Sequence, residues 1–171
     1  MDFHTFLSKH KACQPALDWI GNRDAETAWR ECPRADWMLW AAGELNVDRK
    51  TLVTIACRIA RTVLHLIPAG EDRPRIAIET AERWVRGEAS IEDVLKARNA
   101  AANVYVLHPL RRRSRHAAAA AYYAAADAYA AYRDVADVAA DNGDAAHAAA
   151  AAAAARNAGH QEYADIVREV L

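Results

Sequence analysis

Apolar residues recur every three to four positions along most of this chain, which is the spacing of one face of an α-helix. The clearest case is the segment 49–67, which carries two adjacent apolar stripes: Leu52, Ile55, Ile59 and Val63, and beside them Val53, Ala56, Ala60 and Leu64. Two adjacent stripes give a helix a broad apolar side for packing against its neighbours. We therefore predict that 49–67 is the central helix of the core.

Residues that begin and end helices divide the rest of the chain into further short helices. We predict them over 15–20, 25–32, 36–45, 72–86, 90–103 and 161–170. Asp24 and Asp48 are suited to cap helix starts, Asn46 to end a helix in a left-handed conformation, and Ser90 with Asp93 matches a capping box. Strand patterns are nearly absent from the sequence. The predicted fold class is all-α, a compact multi-helix bundle of helical hairpins.

The composition changes after residue 104, because alanine fills 28 of the 59 positions from 100 to 158. Such a segment could be disordered or helical. We favour helices, since alanine has the highest helix propensity and the residues typical of disorder are scarce here. Tyrosines 122, 129 and 132 with Val135 supply a bulky docking face, and Asn142-Gly143 and 157–159 are predicted turns. We predict one domain over 1–171, in which an alanine-rich part, 109–171, packs on a tryptophan-rich part, 1–108.

Charge and cysteine content narrow the classes of partner. Lysine and arginine total 22 against 23 aspartates and glutamates, so no overall field favours nucleic acid or a membrane, and we do not expect direct nucleic-acid binding. Three cysteines without a CxxC pair predict neither a disulfide framework nor a metal site. No run approaches the ~20 apolar residues of a membrane span, and residues 1–11 lack a signal-peptide core. We expect a cytoplasmic protein without a cofactor.

Enzyme motifs are missing from the sequence. It contains no glycine-rich phosphate loop, no G-x-S-x-G elbow, no H-E-x-x-H and no E-x-x-H pair. We therefore predict no catalytic residues and a function in binding. The lowest-ranked alternative is a small enzyme or metal protein with a site formed by a few polar residues on 49–67 and on the helix that follows: Arg58, Arg61, His65 and Glu79.

The same polar stripe has a structural interpretation, which we prefer. Thr51, Thr54, Arg58, Arg61 and His65 follow a three-four spacing on the helix 49–67. An antiparallel neighbour would bring Glu79 and Glu82 opposite the two arginines. We expect an ion-pair network between these two helices.

Four tryptophans, Trp19, Trp29, Trp37 and Trp40, fall within 22 residues. Such density is typical either of a core built from short helices or of an exposed recognition patch. We favour the core, because large aromatics are mostly buried. Any exposed part of this cluster would lie beside Arg30, Arg34 and Asp36, a mixture typical of protein interfaces.

Two charged clusters occur in the alanine-rich part. Five aspartates share one side of it near a seven-residue period, and they could form an acidic contact face: Asp127, Asp134, Asp137, Asp141 and Asp144. Before them stands a basic cluster: Arg111, Arg112, Arg113, Arg115 and His116. We interpret the basic cluster as a surface loop, because no aromatic residues are interleaved with it as in nucleic-acid-binding segments.

Two sequence blocks carry a resemblance to a known family. The first is Ala-Leu-Asp-Trp at 16–19, followed by Ala28-Trp29 and by Cys-Pro-Arg-Ala-Asp-Trp-Met-Leu-Trp at 32–40. The second is Glu-Asp-Arg-Pro-Arg at 71–75, with Ala77, Ala81, Trp84 and Gly87. Together, over about 16–102, they resemble the immunity-protein family of bacterial polymorphic toxin systems. The resemblance implies an all-helical protein that neutralises a protein partner by occlusion.

We therefore expect a protein-binding inhibitor of toxin-immunity type. Its expected contact residues come from the two family-like blocks: Trp29, Arg30, Arg34, Asp36, Trp37, Trp40, Glu71, Asp72 and Arg73. The alternative is a phage-encoded inhibitor of a bacterial defence complex, of anti-CRISPR type, which would use the aspartate face. The partner is then a toxin or a defence-complex subunit. A homodimer is also compatible with the alanine-rich faces.

Overall fold

The computed structural model describes residues 2–107, 111–133, 144–156 and 161–171. Throughout these ranges the chain forms α-helices, one short 3-10 helix and no strand, which confirms the all-α prediction. The α-helices are, in chain order, α1 Phe3–Lys9, α2 Gln14–Ile20, α3 Ala25–Glu31, α4 Ala35–Glu44, α5 Arg49–Arg61, α6 Arg73–Val85, α7 Ile91–Leu107, α8 Arg112–Arg133, α9 Asp144–Arg156 and α10 Gln161–Val170. The 3-10 helix, Leu64–Leu66, follows α5.

Side-chain caps begin several of these helices where the sequence predicts them. The Asp24 carboxylate accepts a hydrogen bond from the Thr27 amide at 2.7 Å, and Asp48 accepts one from the Thr51 amide at 2.9 Å. Ser90 and Asp93 form the expected reciprocal capping box before α7. Asn46, after α4, has a φ of 57° and so adopts the predicted left-handed conformation. The sequence pattern does not predict helix α1.

Helix α5 ends at Arg61, six residues before the predicted end, and a hydroxyl group explains why. In a continuing α-helix the Ile59 carbonyl would accept the amide of Val63. Here it accepts the Thr62 hydroxyl at 2.7 Å and the Thr62 amide at 3.1 Å, while the Val63 amide donates to Ala60. The chain therefore tightens and continues as the 3-10 helix.

The alanine-rich helix α8 packs against α5, α6, α7 and α9. Apart from Asp127, its described buried side chains are alanines, and seven of them have no exposed surface: Ala117, Ala118, Ala120, Ala121, Ala124, Ala125 and Ala128. Because an alanine side chain ends at Cβ, the axes of neighbouring helices can approach to the short end of the usual range of about 8–10 Å. The tryptophan-rich and alanine-rich parts therefore share one hydrophobic core.

Helix α5, which we predicted to be central, shares that position with α8. It packs against α4, α6, α8, α9 and α10, and the residues of its two apolar stripes are buried except for Leu64, which is half-buried. The last helix, α10, buries Tyr163 and Val167 completely against the same core, with Ile166 and Val170 partly buried. Helices α5 and α10 thus contribute large apolar side chains to the core, and the alanines of α8 allow the helices to pack closely.

The predicted ion pairs between α5 and α6 form in part. Arg61 donates two hydrogen bonds of 2.6 Å to the Glu82 carboxylate, and this contact raises the pKa of Arg61. The expected role of Glu79 is wrong: its carboxylate accepts from Arg75, one turn earlier on its own helix, at 2.8 Å. Arg58 reaches Glu169 of α10 at 2.6 Å instead. Arg75 competes successfully for Glu79 because side chains four residues apart on one helix are neighbours on its surface.

Two further predictions concern the alanine-rich part. Tyr122 and Tyr129 are half-buried on α8, and the Arg98 guanidinium of α7 lies 5.1 Å and 5.6 Å from their ring centres. The predicted turns at 142–143 and 157–159, Val135 and the side chain of Tyr132 lie outside what the structure describes. None of the helices in the described ranges combines the length and the apolar character needed to cross a membrane.

We predict that the close approach of α8 makes the core intolerant of larger side chains. Ala124→Leu adds three carbon atoms at a position with no exposed surface, and should lower the free energy of unfolding by about 1–3 kcal/mol. The matched control is Ala154→Leu on exposed α9 surface, which should change it by less than about 0.5 kcal/mol. Denaturant unfolding followed by circular dichroism measures both, and equal effects would contradict the packing described.

Candidate functional site

The four clustered tryptophans line a single pocket of about 410 Å³. Trp19 comes from α2, Trp29 from α3, and Trp37 and Trp40 from α4; α9 closes one side with His147 and Ala150. Its walls are mostly apolar, and Phe3, Leu7, Ile20 and Met38 line it together with the indole rings. The volume falls in the range of about 300–1,000 Å³ that is typical of ligand and anchor-residue sites.

Each of these four tryptophans is half-buried, so neither of the two alternatives for the cluster holds alone. Trp29 and Trp37 pack against the main core, Trp40 against a smaller cluster formed by α1–α4, and Trp19 against both. The rings of Trp19 and Trp37 meet at 6.1 Å with an interplanar angle of 52°. One face of each ring is thus fixed by packing while the remainder lines the pocket.

An ion pair and its aromatic support lie at the pocket rim. Arg34 donates from Nε and Nη2 to the two Asp36 carboxylate oxygens, at 2.9 Å and 2.6 Å, and this pairing raises the pKa of Arg34. The same guanidinium lies 4.7 Å from the ring centre of Trp37. On another ring, Arg23 stands 4.8 Å from the centre of Trp19. At the rim, the Arg34 guanidinium is therefore held in place by the Asp36 carboxylate and by the Trp37 ring.

Arg168 of α10 holds the tryptophan segment in place, and sequence reasoning missed it. Its guanidinium donates to the carbonyl oxygen of Trp29 at 3.2 Å and to that of Cys32, both at the C-terminal end of α3. Carbonyl groups at a helix end have no partner within the helix and need an external donor. The need for a donor is visible in the sequence, but its identity is not, because Arg168 lies 139 positions away from Trp29.

The three cysteines have different environments, and two of them line the pocket. Cys13 is exposed, whereas Cys32 and Cys57 are buried. Burial raises the pKa of the Cys32 thiol, and it raises that of Cys57 further. Both Cys13 and Cys32 are among the pocket residues. Cys13 thus offers a solvent-accessible thiol at the edge of the pocket.

The structure divides the nine predicted contact residues into two groups. Trp29, Arg34, Asp36, Trp37 and Trp40 line the pocket. The other four do not: Arg30 is exposed beside Glu31, Glu71 pairs with Arg73, and Asp72 pairs with Arg75 at 3.1 Å. The block 71–75 therefore forms its own local ion pairs at the start of α6.

The predicted acidic face requires a correction. Asp127 is only 2% exposed, because α8 is enclosed by its neighbouring helices, so this residue cannot contribute to a contact surface. Its charge lies close enough to Cys57 to contribute to the raised pKa of that thiol. Asp134, Asp137 and Asp141, with the side chain of Asp144, lie outside the described residues.

The lowest-ranked alternative, a polar site on α5 and α6, is not assembled. Arg58 and Arg61 are engaged with Glu169 and Glu82, and Glu79 with Arg75. His65 is exposed on the 3-10 helix. Within the part of the chain that the structure describes, no three His, Cys, Asp or Glu side chains gather as metal ligands would.

Comparison with protein-family models, with curated proteins and with solved structures finds no match to this chain. Function must therefore be inferred from the geometry of the pocket and from the sequence blocks that contribute to it.

We predict that Arg168 stabilises the pocket through the carbonyl groups it binds. Arg168→Met keeps most of the aliphatic packing but leaves the Trp29 and Cys32 carbonyls without this donor, and should lower the free energy of unfolding by about 2 kcal/mol. The control is Arg58→Met, which breaks an exposed ion pair to the same helix and should cost less than about 1 kcal/mol. Thermal and denaturant unfolding measure both. A smaller loss for Arg168→Met than for Arg58→Met would contradict this role.

We also predict that one of the three thiols reacts rapidly in the native protein. Dithionitrobenzoate should modify exposed Cys13 at once, and buried Cys32 and Cys57 only after unfolding in guanidinium chloride. Cys13→Ser should remove the fast phase and leave the slow ones. Rapid reaction of two thiols in the native protein would show that the α3–α4 turn does not bury Cys32.

Proposed function

We propose that this protein binds another protein and inhibits it by occlusion, with the tryptophan-lined pocket at the centre of the contact surface. One observation carries the proposal. Cys32, Arg34, Asp36, Trp37 and Trp40 belong to the sequence block that resembles immunity proteins, and all five line the same pocket. The block with the most distinctive residues is thus also the block that forms the concave, aromatic surface.

The chemistry of the pocket favours an apolar anchor from a protein partner. Tryptophan and arginine are the residues that most often dominate binding energy at protein interfaces, particularly in preformed pockets. The indole rings here are held by packing on one side, so binding would cost little side-chain entropy. Arg34 and Asp36 neutralise each other and offer hydrogen-bonding groups around the anchor without leaving a net charge to be buried.

The resemblance supplies the class of partner, a toxin of a polymorphic toxin system. An immunity protein of this kind acts by covering a surface that its toxin needs, which requires no catalytic group. The pocket is suited to that role because its polar side chains are oriented by each other and by Trp37. We therefore expect a stable complex whose formation buries the pocket.

The direct test is co-expression with the toxin that this proposal expects from a neighbouring gene. We expect rescue of growth and a complex that survives gel filtration. A toxin that stays fully active and unbound would overturn the proposal.

An exchange of charges tests whether the pocket is the interface. The double variant Arg34→Asp with Asp36→Arg preserves an ion pair but reverses its direction at the rim, and should weaken binding by about 2 kcal/mol. The matched control is Arg86→Glu with Glu88→Arg, which exchanges another pair with the same two-residue spacing at an exposed helix end. Calorimetry with the toxin measures both affinities, and circular dichroism checks that helicity is unchanged.

Protection of Cys13 gives an independent readout from the wild-type protein. Because Cys13 lines the pocket, the bound toxin should slow its reaction with dithionitrobenzoate by at least about tenfold. An unchanged rate in a complex that is otherwise stable, together with full affinity of the Arg34 and Asp36 exchange, would place the interface on another surface.

A further inference from the structure

A second concave surface lies between α7, α8 and α9. It encloses about 690 Å³, and its chemistry differs from that of the tryptophan-lined pocket. Six side chains other than alanine line it: Tyr105, Arg112, Arg115, His116, Tyr123 and His147. We call it the basic groove. It shares His147 and Ala150 with the tryptophan-lined pocket, so the two surfaces adjoin along α9.

Within the part of the chain that the structure describes, the two arginines of the basic groove have no acidic partner. Arg112 and Arg115 are exposed, and no carboxylate of the described residues pairs with either of them. The pKa of His116, which lines the groove with both arginines, is lowered first by partial burial and then by their charges. The groove therefore presents a cationic surface to solvent.

The position of these arginines works against helix stability. Arg112 and Arg115 lie in the first turn of α8, which contains no acidic residue. The amino end of a helix carries a partial positive charge, so acidic residues stabilise that end and basic ones oppose it. Residues that oppose a local stability rule are often found at functional sites.

Aromatic rings from all three helices flank the cations. Tyr123 of α8 stacks on His147 of α9, with ring centres 5.1 Å apart and planes 25° apart. Tyr105 of α7 stacks at 6.1 Å on Tyr122. Tyr105 and His147 lie on other helices than the two arginines, so the full combination of cations and rings requires α7, α8 and α9 to come together.

We propose that the basic groove binds a nucleotide, either free or as part of a single strand, with its phosphate on Arg112 and Arg115 and its base against the tyrosine rings. Arginine binds phosphate oxygens through paired N–H donors, and every nucleobase has a flat face that can stack on an aromatic ring. An acidic peptide would use the arginines but would have no need of the rings. The combination therefore favours a nucleotide over a peptide carboxylate.

The test uses the full chain and a fluorescein-labelled oligothymidylate at low salt, with fluorescence polarisation as the readout. Arg112→Gln with Arg115→Gln should weaken binding by about tenfold or more. It should also make the slope of log affinity against log salt shallower by about 0.7 for each phosphate that is no longer bound. The matched control removes the same charge at two residues near the C-terminal end of α6 that do not line the groove: Arg83→Gln with Arg86→Gln. Equally weakened binding in both double variants would overturn the proposal, because it would reflect net charge alone.

A second variant separates stacking from charge. Tyr105→Leu keeps an apolar side chain but removes a ring, and should weaken binding while leaving the salt dependence unchanged. Adenosine monophosphate should compete if a free nucleotide suffices, whereas competition by unlabelled oligothymidylate alone would indicate a strand. Polyglutamate that binds as tightly as the oligonucleotide, with no effect of Tyr105→Leu, would overturn the proposal in favour of an acidic peptide. Absence of oligonucleotide binding at low salt would overturn it outright.

The thermal stability of the Arg112→Gln, Arg115→Gln variant shows whether these arginines serve binding or folding. Because Arg112 and Arg115 oppose the dipole of α8, their replacement by glutamine should leave the Tm equal to or above that of the wild type. Loss of oligonucleotide binding with an undiminished Tm is the expected result. Loss of both would show that the arginines hold the fold together and would overturn their assignment to a binding site.

Discussion

The close approach of α8 to its neighbours is the constraint on which the rest of this structure depends. Four helices pack around it, and most of the side chains that α8 buries against them are alanines with almost no exposed surface. An alanine buries little apolar area but loses no rotamer freedom on folding. The stabilisation must then come from many van der Waals contacts at high packing density. The large side chains for these contacts come from the neighbouring helices, for example Leu52, Ile55 and Tyr163.

This arrangement also determines where the two concave surfaces lie. Helix α9 packs on α8 and carries His147 and Ala150 between the tryptophan-lined pocket and the basic groove. The helices α1, α2 and α3 have only seven residues each and would not be stable alone. They keep their places because their aromatic residues pack on α4 and the core, and because Arg168 fastens the end of α3 to α10.

The two surfaces differ in how their charges are balanced. In the tryptophan-lined pocket the polar groups satisfy each other, so an apolar side chain can enter without a charge being buried unpaired. In the basic groove the cations have no carboxylate partner among the described residues, so an anion would gain electrostatic energy there. One surface is thus suited to an apolar protein anchor and the other to a phosphate with an aromatic base.

The sequence by itself determined the fold class and most helix boundaries, because caps such as Asp24 and Ser90 and the stripes of α5 depend on residues within one or two turns. Only the tertiary structure decided the partner of Glu79, the burial of Asp127, the role of Arg168 and the rings around Arg112. Most of those features join residues far apart in the chain. A helix with alanine on most faces also has no periodic signal to show which side is buried.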